Sequence, residues 1–385
     1  MYKRLFQAPA QSYFLLGPRG TGKSTWLRQA YPRALFVDLL DGETFHRMQA
    51  DPSALRGLLE AHPKVGTVVI DEIQKVPALL DAVHQRLENR NLPKVQFVLT
   101  GSSSRKLKRS GVNLLGGRVL HRSFHPFMAA EMGKDFRLEA RVLTGMLPLV
   151  VDAPDPGQIL QSYAALYLRE EVQAEGLVRN LGNFSRFLQA MSLTHGARLN
   201  TSAVARECQV GQKTVEGYLG VLEDLLLGYR VPVFTKRASR HLAQHPKFYF
   251  MDTGVFQALR PRGPLDTTSE MGGAALEGLV AQHLKAWAAY SGGDAALHYW
   301  RTKSGLEVDF VLYGSEGFQA LEVKSTRRPS SGDTRPLREF LVDYPHAKAY
   351  LLHTGRDRYR LDGILCIPCE EFLRTLVPGK TFPGS

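Results

Sequence analysis

The sequence predicts an α/β protein in which a parallel-sheet domain is followed by a helical segment and then by a second α/β domain. Three observations support this prediction. A glycine-rich loop lies between an apolar strand and a helix near the start of the chain. Helical periodicity dominates the middle, and short apolar strands that carry acidic residues return toward the C-terminal end.

The length of 385 residues suits two or three domains. Prolines cluster between residues 148 and 156, where the pattern of the first domain stops. We therefore expect domains over residues 1–150, 151–245 and 246–385.

Composition indicates what the chain binds and where it works. Lysine and arginine number 49 against 37 acidic residues, so the net charge is +12. This charge favours a polyanionic partner, most simply nucleic acid, with a membrane surface second. The three cysteines predict no disulfide framework and a reducing compartment. We find no signal peptide and no apolar run that approaches a membrane span, so we expect a cytoplasmic protein.

The most specific motif is the run Gly17–Ser24, which fits G-x-x-x-x-G-K-S completely. An apolar strand precedes it and a helix follows it, which is the context that a phosphate-binding loop requires. We expect the backbone to surround the β-phosphate, Lys23 to reach the β- and γ-phosphates, and Ser24 to ligate Mg²⁺. The nucleotide-binding residues are expected to be Gly17, Pro18, Arg19, Gly20, Thr21, Gly22, Lys23, Ser24 and Thr25.

A second motif supplies the acids that such a loop needs. The apolar run that begins at Val68 ends in Asp71 and Glu72. We expect Asp71 to hold the Mg²⁺ shell and Glu72 to polarise the attacking water. A further strand is predicted over residues 34–38, between the two motifs, and this arrangement resembles the additional-strand class of P-loop ATPases.

The next apolar strand ends in polar residues at 100–104. In AAA-type ATPases a polar residue here senses the γ-phosphate, so by this resemblance Thr100 and Ser102 are both candidates. Residues 104–122 then carry six basic residues and no acid. Arg118 in this stretch is a candidate arginine finger for a neighbouring subunit, and a solvated basic surface is the alternative.

The middle segment predicts a helix-turn-helix. Asn200 caps a short helix, residues 209–211 form a turn, and a second helix begins at Gln212 with a strand over 229–234 after it, as in a winged helix. In a DNA-binding module Gln212, Lys213 and Thr214 would face a groove, whereas a structural spacer or lid is the alternative.

A second acid-free basic stretch, residues 226–251, favours contact with phosphate backbones. Its basic residues are Arg230, Lys236, Arg237, Arg240 and Lys247, and we expect the first four, together with Lys213, to bind DNA.

Acidic residues mark the last domain. Asp309 and Glu322 lie on two strands of one predicted hairpin, Lys324 follows on the same face as Glu322, and Glu277 opens a neighbouring helix. Three carboxylates around a divalent ion, with a lysine near the attacking water, form a metal-dependent phosphodiesterase site. The spacing resembles the PD-(D/E)xK nuclease superfamily, and especially the archaeal Holliday-junction resolvases. A nuclease-like fold that no longer cleaves is the alternative.

Taken together, these motifs resemble a family of bacterial and archaeal AAA-type ATP-binding proteins with a C-terminal domain of unknown function. The resemblance rests on the loop at 17–24, the sequence Leu-Thr-Gly-Ser-Ser at 99–103, Phe-Tyr-Phe-Met-Asp-Thr-Gly at 248–254, and the two acidic strands. It implies a ring assembly, expected to be hexameric, and action on branched DNA. The motif at 145–148 departs from the family, because a second glycine is expected there.

We expect an oligomeric ATPase that binds and remodels DNA, including Holliday junctions. An ATP-gated endonuclease and a nucleotide-dependent signalling switch or scaffold are the alternatives. The expected cofactors are ATP and Mg²⁺, with Mn²⁺ as a further candidate at the C-terminal site. The pair Cys366 and Cys369 forms a lone C-x-x-C, which we interpret as a coincidence at a strand end rather than a zinc site.

Overall fold

The computed structural model describes residues 2–89, 91–103, 115–167, 172, 178, 180–236, 245–261, 263 and 268–384. The chain divides into two units, and each is described by itself. The N-terminal unit comprises Phe6–His125 with Asp224–Leu226, and the C-terminal unit comprises Met1–Leu5, Pro126–Glu223 and Leu227–Ser385. The expected three-domain division remains a prediction.

The apolar runs of the N-terminal unit form a five-stranded parallel sheet. The strands are β1 (Tyr13–Leu16), β2 (Leu35–Asp38), β3 (Thr67–Asp71), β4 (Gln96–Gly101) and β5 (Leu120–Ser123). Their order is β2-β3-β4-β1-β5, and every neighbouring pair is parallel. The extra strand expected between the two nucleotide motifs is therefore present as β2, and β4 separates β1 from β3.

Four helices connect these strands within the described residues of the N-terminal unit. They are α1 (Lys23–Ala30), α2 (Gly42–Ala50), α3 (Ala54–Ala61) and α4 (Leu79–Glu88). Helical crossovers return the chain to the start of the next parallel strand, as parallel pairing requires. All the strand carboxyl ends thus lie at one edge of the sheet, which is where ligands bind in open α/β sheets.

The C-terminal unit begins with helices. They are α5 (Ala129–Met132), α6 (Leu138–Thr144), α7 (Pro148–Val151), α8 (Pro156–Ser162), α9 (Leu181–Leu193), α10 (Thr201–Cys208) and α11 (Gln212–Asp224), with one π-helical turn at Tyr163–Tyr167. The strands β6 (Gly228–Val231) and β7 (Lys247–Phe250) then pair antiparallel. Helices α12 (Thr253–Leu259) and α13 (Thr268–Tyr290) follow.

A six-stranded mixed sheet ends the chain. It contains β8 (Ala296–Arg301), β9 (Glu307–Gly314), β10 (Gly317–Lys324), β11 (Lys348–His353), β12 (Tyr359–Leu361) and β13 (Ile364–Pro368), with α14 (Ser331–Asp343) and α15 (Cys369–Thr375). The order is β12-β13-β11-β10-β9-β8; β10, β11 and β13 run parallel and the others antiparallel.

Apolar side chains on alternate faces of this sheet enter two separate cores. One core contains α13 and α15 residues, and the other contains α14 residues. Cys366 belongs to the second core and Cys369 to the first, and both are free. Cysteines that pack into different cores share no ligand, so the C-x-x-C is not a zinc site.

The motif at 145–148 packs against the run at 248–254. Buried Asp252 accepts hydrogen bonds from the backbone N–H of Met146 at 2.6 Å and of Gly254 at 2.8 Å. Gly145 has φ +73°, and a Cβ there would lie 2.0 Å from Asp252 Oδ1. Gly145 is therefore required by both its backbone conformation and its close contact with Asp252. The second glycine that the family resemblance led us to expect at 145–148 is absent from the sequence.

Among the described residues, no helix combines the length and the apolar character needed to cross a membrane.

Candidate functional site

The glycine-rich loop lies at the carboxyl edge of the parallel sheet, between β1 and α1. Gly20 and Gly22 have φ of +80° and +82°, which is the left-handed region that glycine adopts without strain. Lys23 is 6% exposed, and its Nζ donates to the carbonyl oxygens of Gly17 at 2.5 Å and Pro18 at 3.1 Å. These contacts hold the ammonium inside the loop.

Close packing beneath the loop also depends on glycine. A Cβ on Gly17 would lie 2.3 Å from the carbonyl oxygen of Phe124, which follows β5. Thr21 is fully buried, and its hydroxyl donates to the Pro18 carbonyl at 2.8 Å. Contacts within the protein therefore hold the shape of the loop without a bound ligand.

The two acids of the second motif lie at the same edge, at the end of β3. Asp71 is 4% exposed, and its Oδ1 accepts a hydrogen bond from the hydroxyl of fully buried Thr100. Thr100 Oγ1 also accepts from the backbone N–H of Glu72 at 3.1 Å. Thr100 thus joins both acidic residues to the end of β4, which separates β3 from the loop strand.

Glu72 has an unusual backbone and a held side chain. Its φ is +59°, a region that costs a residue other than glycine about 1–2 kcal/mol and that recurs at functional sites. Its Oε2 accepts from Ser102 Oγ at 3.2 Å and from Gln74 Nε2. Gln74 Nε2 also donates to Ser102 Oγ at 3.1 Å, so the three side chains form one network.

The structure therefore separates two residues that the sequence left as equal candidates. Thr100 contacts Asp71, whereas Ser102 contacts Glu72. Sequence reasoning missed Gln74, although its place two residues after Glu72 was a usable signal. A Cβ on Gly101 would lie 2.6 Å from Gln74 Oε1, so that glycine makes room for the glutamine.

The donor set at this edge fits Mg²⁺. The protein offers two oxygen ligands here, the hydroxyl of Ser24 at the start of α1 and the carboxylate of Asp71. Mg²⁺ is commonly bound by so few protein oxygens, because phosphates and waters complete its coordination shell.

Arg118 lies at the opposite edge of the sheet. It precedes β5, whose first residue Leu120 pairs with Tyr13 at the start of β1. Its guanidinium forms an exposed ion pair with Glu88, the last residue of α4. Within one chain Arg118 is therefore remote from the loop. Of the basic stretch around it, Arg105, Lys106, Lys108 and Arg109 lie outside the described residues.

The acidic residues of the last sheet come together around an unexpected lysine. Lys247, the first residue of β7, is 2% exposed. Its Nζ lies 2.8 Å from Glu277 Oε1, 2.6 Å from Glu307 Oε1 and 3.3 Å from Asp309 Oδ1. We name Lys247, Glu277, Glu307 and Asp309 the lysine–carboxylate cluster. Lys247 belongs to the basic stretch 226–251 that favours phosphate contact, but its own charge is buried among three acids.

The remaining predicted residues flank this cluster. Glu322 Oε1 pairs with Lys324 Nζ at 2.7 Å, and Glu322 Oε2 lies 3.4 Å from the backbone N–H of Asp309. Asp309 Oδ2 accepts from the backbone N–H of Val323 at 2.9 Å. The hairpin register thus brings Asp309 beside Glu322, as the alternation predicted.

Burial and charge shift the titration of these groups. Burial raises the pKa of Glu277 to about 7, with Lys247 opposing the shift and Asp309 adding to it. Burial also raises the pKa of Glu322 well above its usual range, helped by Asp309. Burial alone would lower the pKa of Lys247, but the surrounding acids outweigh it and raise that pKa well above its ordinary value.

The residues do not fit the metal site expected from Glu277, Asp309 and Glu322. Among the residues that the structure describes, no group of three or more His, Cys, Asp or Glu side chains is arranged to hold a metal ion. The physical reason is that a lysine ammonium lies between Glu277 and Asp309, while Glu322 is paired with Lys324.

The helix-turn-helix is present as α10 and α11, with Gln209 at φ +56° in the turn. Gln212 does not present a free side chain: Ser202 Oγ donates to its Oε1 at 3.1 Å, and its Nε2 donates to Thr201 Oγ1 at 3.1 Å. These contacts join the two helices, and groove contact by Gln212 stays a prediction. Lys213 beside it is exposed.

The expected phosphate-binding residues differ in their surroundings. Arg230 forms a bidentate pair with Glu223 at 2.7 and 2.6 Å, which offsets its charge. Lys236 is exposed, and its Nζ lies 4.3 Å from the centre of the Tyr313 ring. Arg237 and Arg240 lie outside the described residues.

Comparison with known families agrees with the first site. Residues 10–133 match a family described as an AAA domain. Residues 135–266 and 272–372 match two families described as domains of unknown function, DUF8612 and DUF4143. The chain thus carries an N-terminal AAA-type ATPase domain, and this family implies ATP and typically Mg²⁺ as ligands. The resemblance of the C-terminal domain to nucleases finds no support in these matches.

Similarity to solved structures is distant. The RuvB Holliday junction branch migration motor of Thermotoga maritima, and a point variant of it, share 13% identity with this chain and cover 58% of it and 82% of their own chains, with TM-scores of 0.29 and 0.30. A protein from Vibrio cholerae shares 12% identity over 96% of both chains, with a TM-score of 0.22. TM-scores this low support no argument about function. No curated protein matches the sequence.

Proposed function

We propose that this chain hydrolyses ATP at the carboxyl edge of its parallel sheet and couples hydrolysis to binding and remodelling of DNA. The observation that carries the first part is the joint network of Asp71, Glu72, Thr100 and Ser102 beside the loop of Lys23. Nucleotide hydrolysis requires a phosphate-binding loop, an acid that holds Mg²⁺ and a residue that orients the attacking water. Buried hydroxyl groups hold the two acids of this site next to the loop.

Each residue has a distinct part in this mechanism. The loop backbone and Lys23 bind and orient the phosphates, which aligns the scissile bond with the attacking water. Glu72 accepts a hydrogen bond, and then a proton, from that water, and Ser102 and Gln74 keep its carboxylate oriented. Ser24 and Asp71 would hold Mg²⁺, which when bound neutralises charge that develops on the phosphate oxygens.

Nucleotide turnover by the Lys23→Ala protein tests this assignment. We expect the variant to lose nucleotide binding and turnover, because the phosphates lose their buried ammonium. Lys64→Ala is a matched control, since Lys64 is an exposed lysine of the same unit. Turnover by Lys23→Ala at the wild-type rate would place hydrolysis elsewhere or in a contaminant.

The DNA part of the proposal is supported by the net charge of +12 and by the exposed lysines Lys213, in the helix-turn-helix, and Lys236, beside the last sheet. We propose a winged-helix-like module here because α10, α11 and the β6–β7 pair occur together. Arg237 and Arg240 are proposed as DNA-binding residues on sequence grounds alone. The ion pair with Glu223 makes Arg230 a weaker candidate.

Salt dependence of DNA affinity tests this part. Log affinity should fall linearly with log salt, and Lys213→Ala/Lys236→Ala should reduce the slope by roughly one for each phosphate that is no longer bound. Lys64→Ala/Lys94→Ala removes the same charge from exposed lysines of the N-terminal unit and should leave the slope unchanged. Fork, duplex and four-way junction substrates identify the preferred form. Undetectable binding to all of them at low salt would favour a signalling switch or scaffold.

We also propose assembly into a ring, with Arg118 of one subunit acting at the nucleotide of the next. The position of Arg118 at the sheet edge opposite to its own loop supports action between subunits rather than within one. Light scattering with and without ATP tests assembly, and a monomer under both conditions would reject it.

A further inference from the structure

We propose that the ammonium of Lys247 takes the place of a divalent cation in the lysine–carboxylate cluster of the C-terminal unit. The protein's own cations then offset most of the negative charge of the site, so the site is independent of metal and the unit has no metal-dependent phosphodiesterase activity. The inference is carried by the position of Lys247 Nζ, within 3.3 Å of one oxygen from each of Glu277, Glu307 and Asp309.

Carboxylates packed this closely need a counter-charge. They repel one another, and burial removes the water that would screen them. A metal ion normally supplies the counter-charge. Here Lys247, at the start of β7, supplies the counter-charge among the carboxylates, and its side chain is 2% exposed. An ammonium carries one charge and three directed donors, and three acids accept them.

Most of the carboxylate oxygens already have donors within the protein. The three residues that spacing predicted as metal ligands are Glu277, Asp309 and Glu322, with six carboxylate oxygens in all. Glu277 Oε1 accepts from Lys247 and from the Tyr249 hydroxyl, the latter at 2.5 Å. Both oxygens of Asp309 and both oxygens of Glu322 also have a donor. Five of the six oxygens are therefore already engaged by protein groups.

Two further cations offset more of the negative charge, so three cations face four carboxylates. Glu307 Oε2 pairs with Arg301 at 2.6 Å, so Glu307 has a second cationic partner besides Lys247. Lys324, which would lie near an attacking water in a nuclease, is held by Glu322 at 2.7 Å. Each of the four acids thus has a cationic partner within the protein, and Glu277 and Asp309 share Lys247. Because three cations already face four carboxylates, a dication would leave the site with excess positive charge.

Removal of the ammonium should create a metal site. The full-length Lys247→Ala protein should melt roughly 5–15 °C below the wild-type protein, because three acids lose their buried partner. Mn²⁺ should restore a substantial part of that loss, whereas it should leave the unfolding of the wild-type C-terminal unit unchanged. Lys247→Ala/Asp309→Asn should show no Mn²⁺-dependent recovery, which separates this site from any Mn²⁺ bound at Asp71.

Lys285→Ala is the matched control. Lys285 is a second, partly buried lysine of the same unit, and its Nζ lies 4.6 Å from the centre of the Tyr229 ring, with Glu223 as the acid that acts on its charge. Its removal should destabilise the protein without conferring a response to Mn²⁺. A response to Mn²⁺ in Lys285→Ala equal to that in Lys247→Ala would contradict the proposal.

A second measurement does not depend on how Lys247→Ala folds. Mn²⁺ binding to the wild-type protein is measured by electron paramagnetic resonance, beside Asp309→Asn and Asp71→Asn. We expect any bound Mn²⁺ to be lost in Asp71→Asn and retained in Asp309→Asn. Wild-type binding that disappears in Asp309→Asn, or Mn²⁺-dependent nicking of DNA that Asp309→Asn abolishes, would overturn the proposal.

Discussion

Replacement of Glu72 by glutamine is expected to stop ATP turnover while nucleotide binding persists. Glu72 Oε2 accepts hydrogen bonds from Ser102 at 3.2 Å and from Gln74. An amide oxygen can accept both, and the amide nitrogen then occupies the place of Oε1. The substitution therefore preserves shape and contacts, and it removes only the basicity of the side chain.

The size of the effect follows from what is removed. Positioned general bases contribute about 10²–10⁴-fold to enzymatic rates, which corresponds to about 3–5 kcal/mol in the activation barrier. The network that fixes Glu72 is already formed by protein groups, so little of its orientation has to be supplied by the nucleotide. We expect a loss within this range in Glu72→Gln, with the affinity for ATP close to that of the wild-type protein.

Phosphate release under steady-state conditions and binding of a fluorescent ATP analogue measure the two quantities separately. Glu60→Gln is a suitable control because Glu60 is an exposed acid of α3 in the same unit. Wild-type turnover by Glu72→Gln would refute the assignment of Glu72 as the base. Loss of nucleotide binding together with turnover would show that its role is structural.

Three further predictions test individual contacts. Thr100→Val removes the hydroxyl that joins Asp71 to the next backbone N–H, so the free energy of unfolding measured in urea should fall by about 1.5–3 kcal/mol; an unchanged midpoint would contradict this. Arg118→Ala and Lys23→Ala proteins should each be inactive, and their mixture should recover turnover if the arginine acts between subunits; an inactive mixture of co-assembled subunits would reject that role. Because the folded-state pKa of Glu277 is raised to about 7 from 4.5, its protonation stabilises the fold at low pH, and that contribution is lost as pH rises through this window. Glu277→Gln should flatten the fall in stability between these pH values, and an unaltered slope would contradict the cause given.

The nucleotide site was predictable from sequence because its parts are short, local motifs. A complete loop motif and an apolar strand ending in two acids each specify their own backbone context, and the parallel sheet then brings both to one edge. Which acid Thr100 and Ser102 each contact was not predictable from the sequence. The register of β3 and β4 decides it, and which of the two senses the γ-phosphate stays open.

The acidic site of the last sheet was predictable only in part. Spacing and strand alternation place Asp309 beside Glu322, and the structure agrees. Lys247 escaped the prediction because it lies 30 residues from Glu277 and 62 from Asp309 along the chain. A lysine at the head of an otherwise apolar strand was the available signal, since a buried charge requires an opposite one.

The helix-turn-helix illustrates the same limit. Its helices and turn follow from capping and periodicity, and both are present. The contacts of Gln212 with Thr201 and Ser202 depend on how the two helices pack, which spacing alone does not specify. A groove-facing role for Gln212 therefore stays a prediction, whereas the helix that carries it is present.

Coupling between DNA binding and ATP turnover is the central claim, and one titration tests it most directly. Phosphate release by the wild-type protein is measured against increasing DNA at low salt, with affinity determined under the same conditions. We predict turnover that rises with the fraction of protein bound to DNA, returns to the basal rate at high salt, and is absent in Glu72→Gln. Turnover that stays at its basal rate while DNA binding saturates would contradict the coupling.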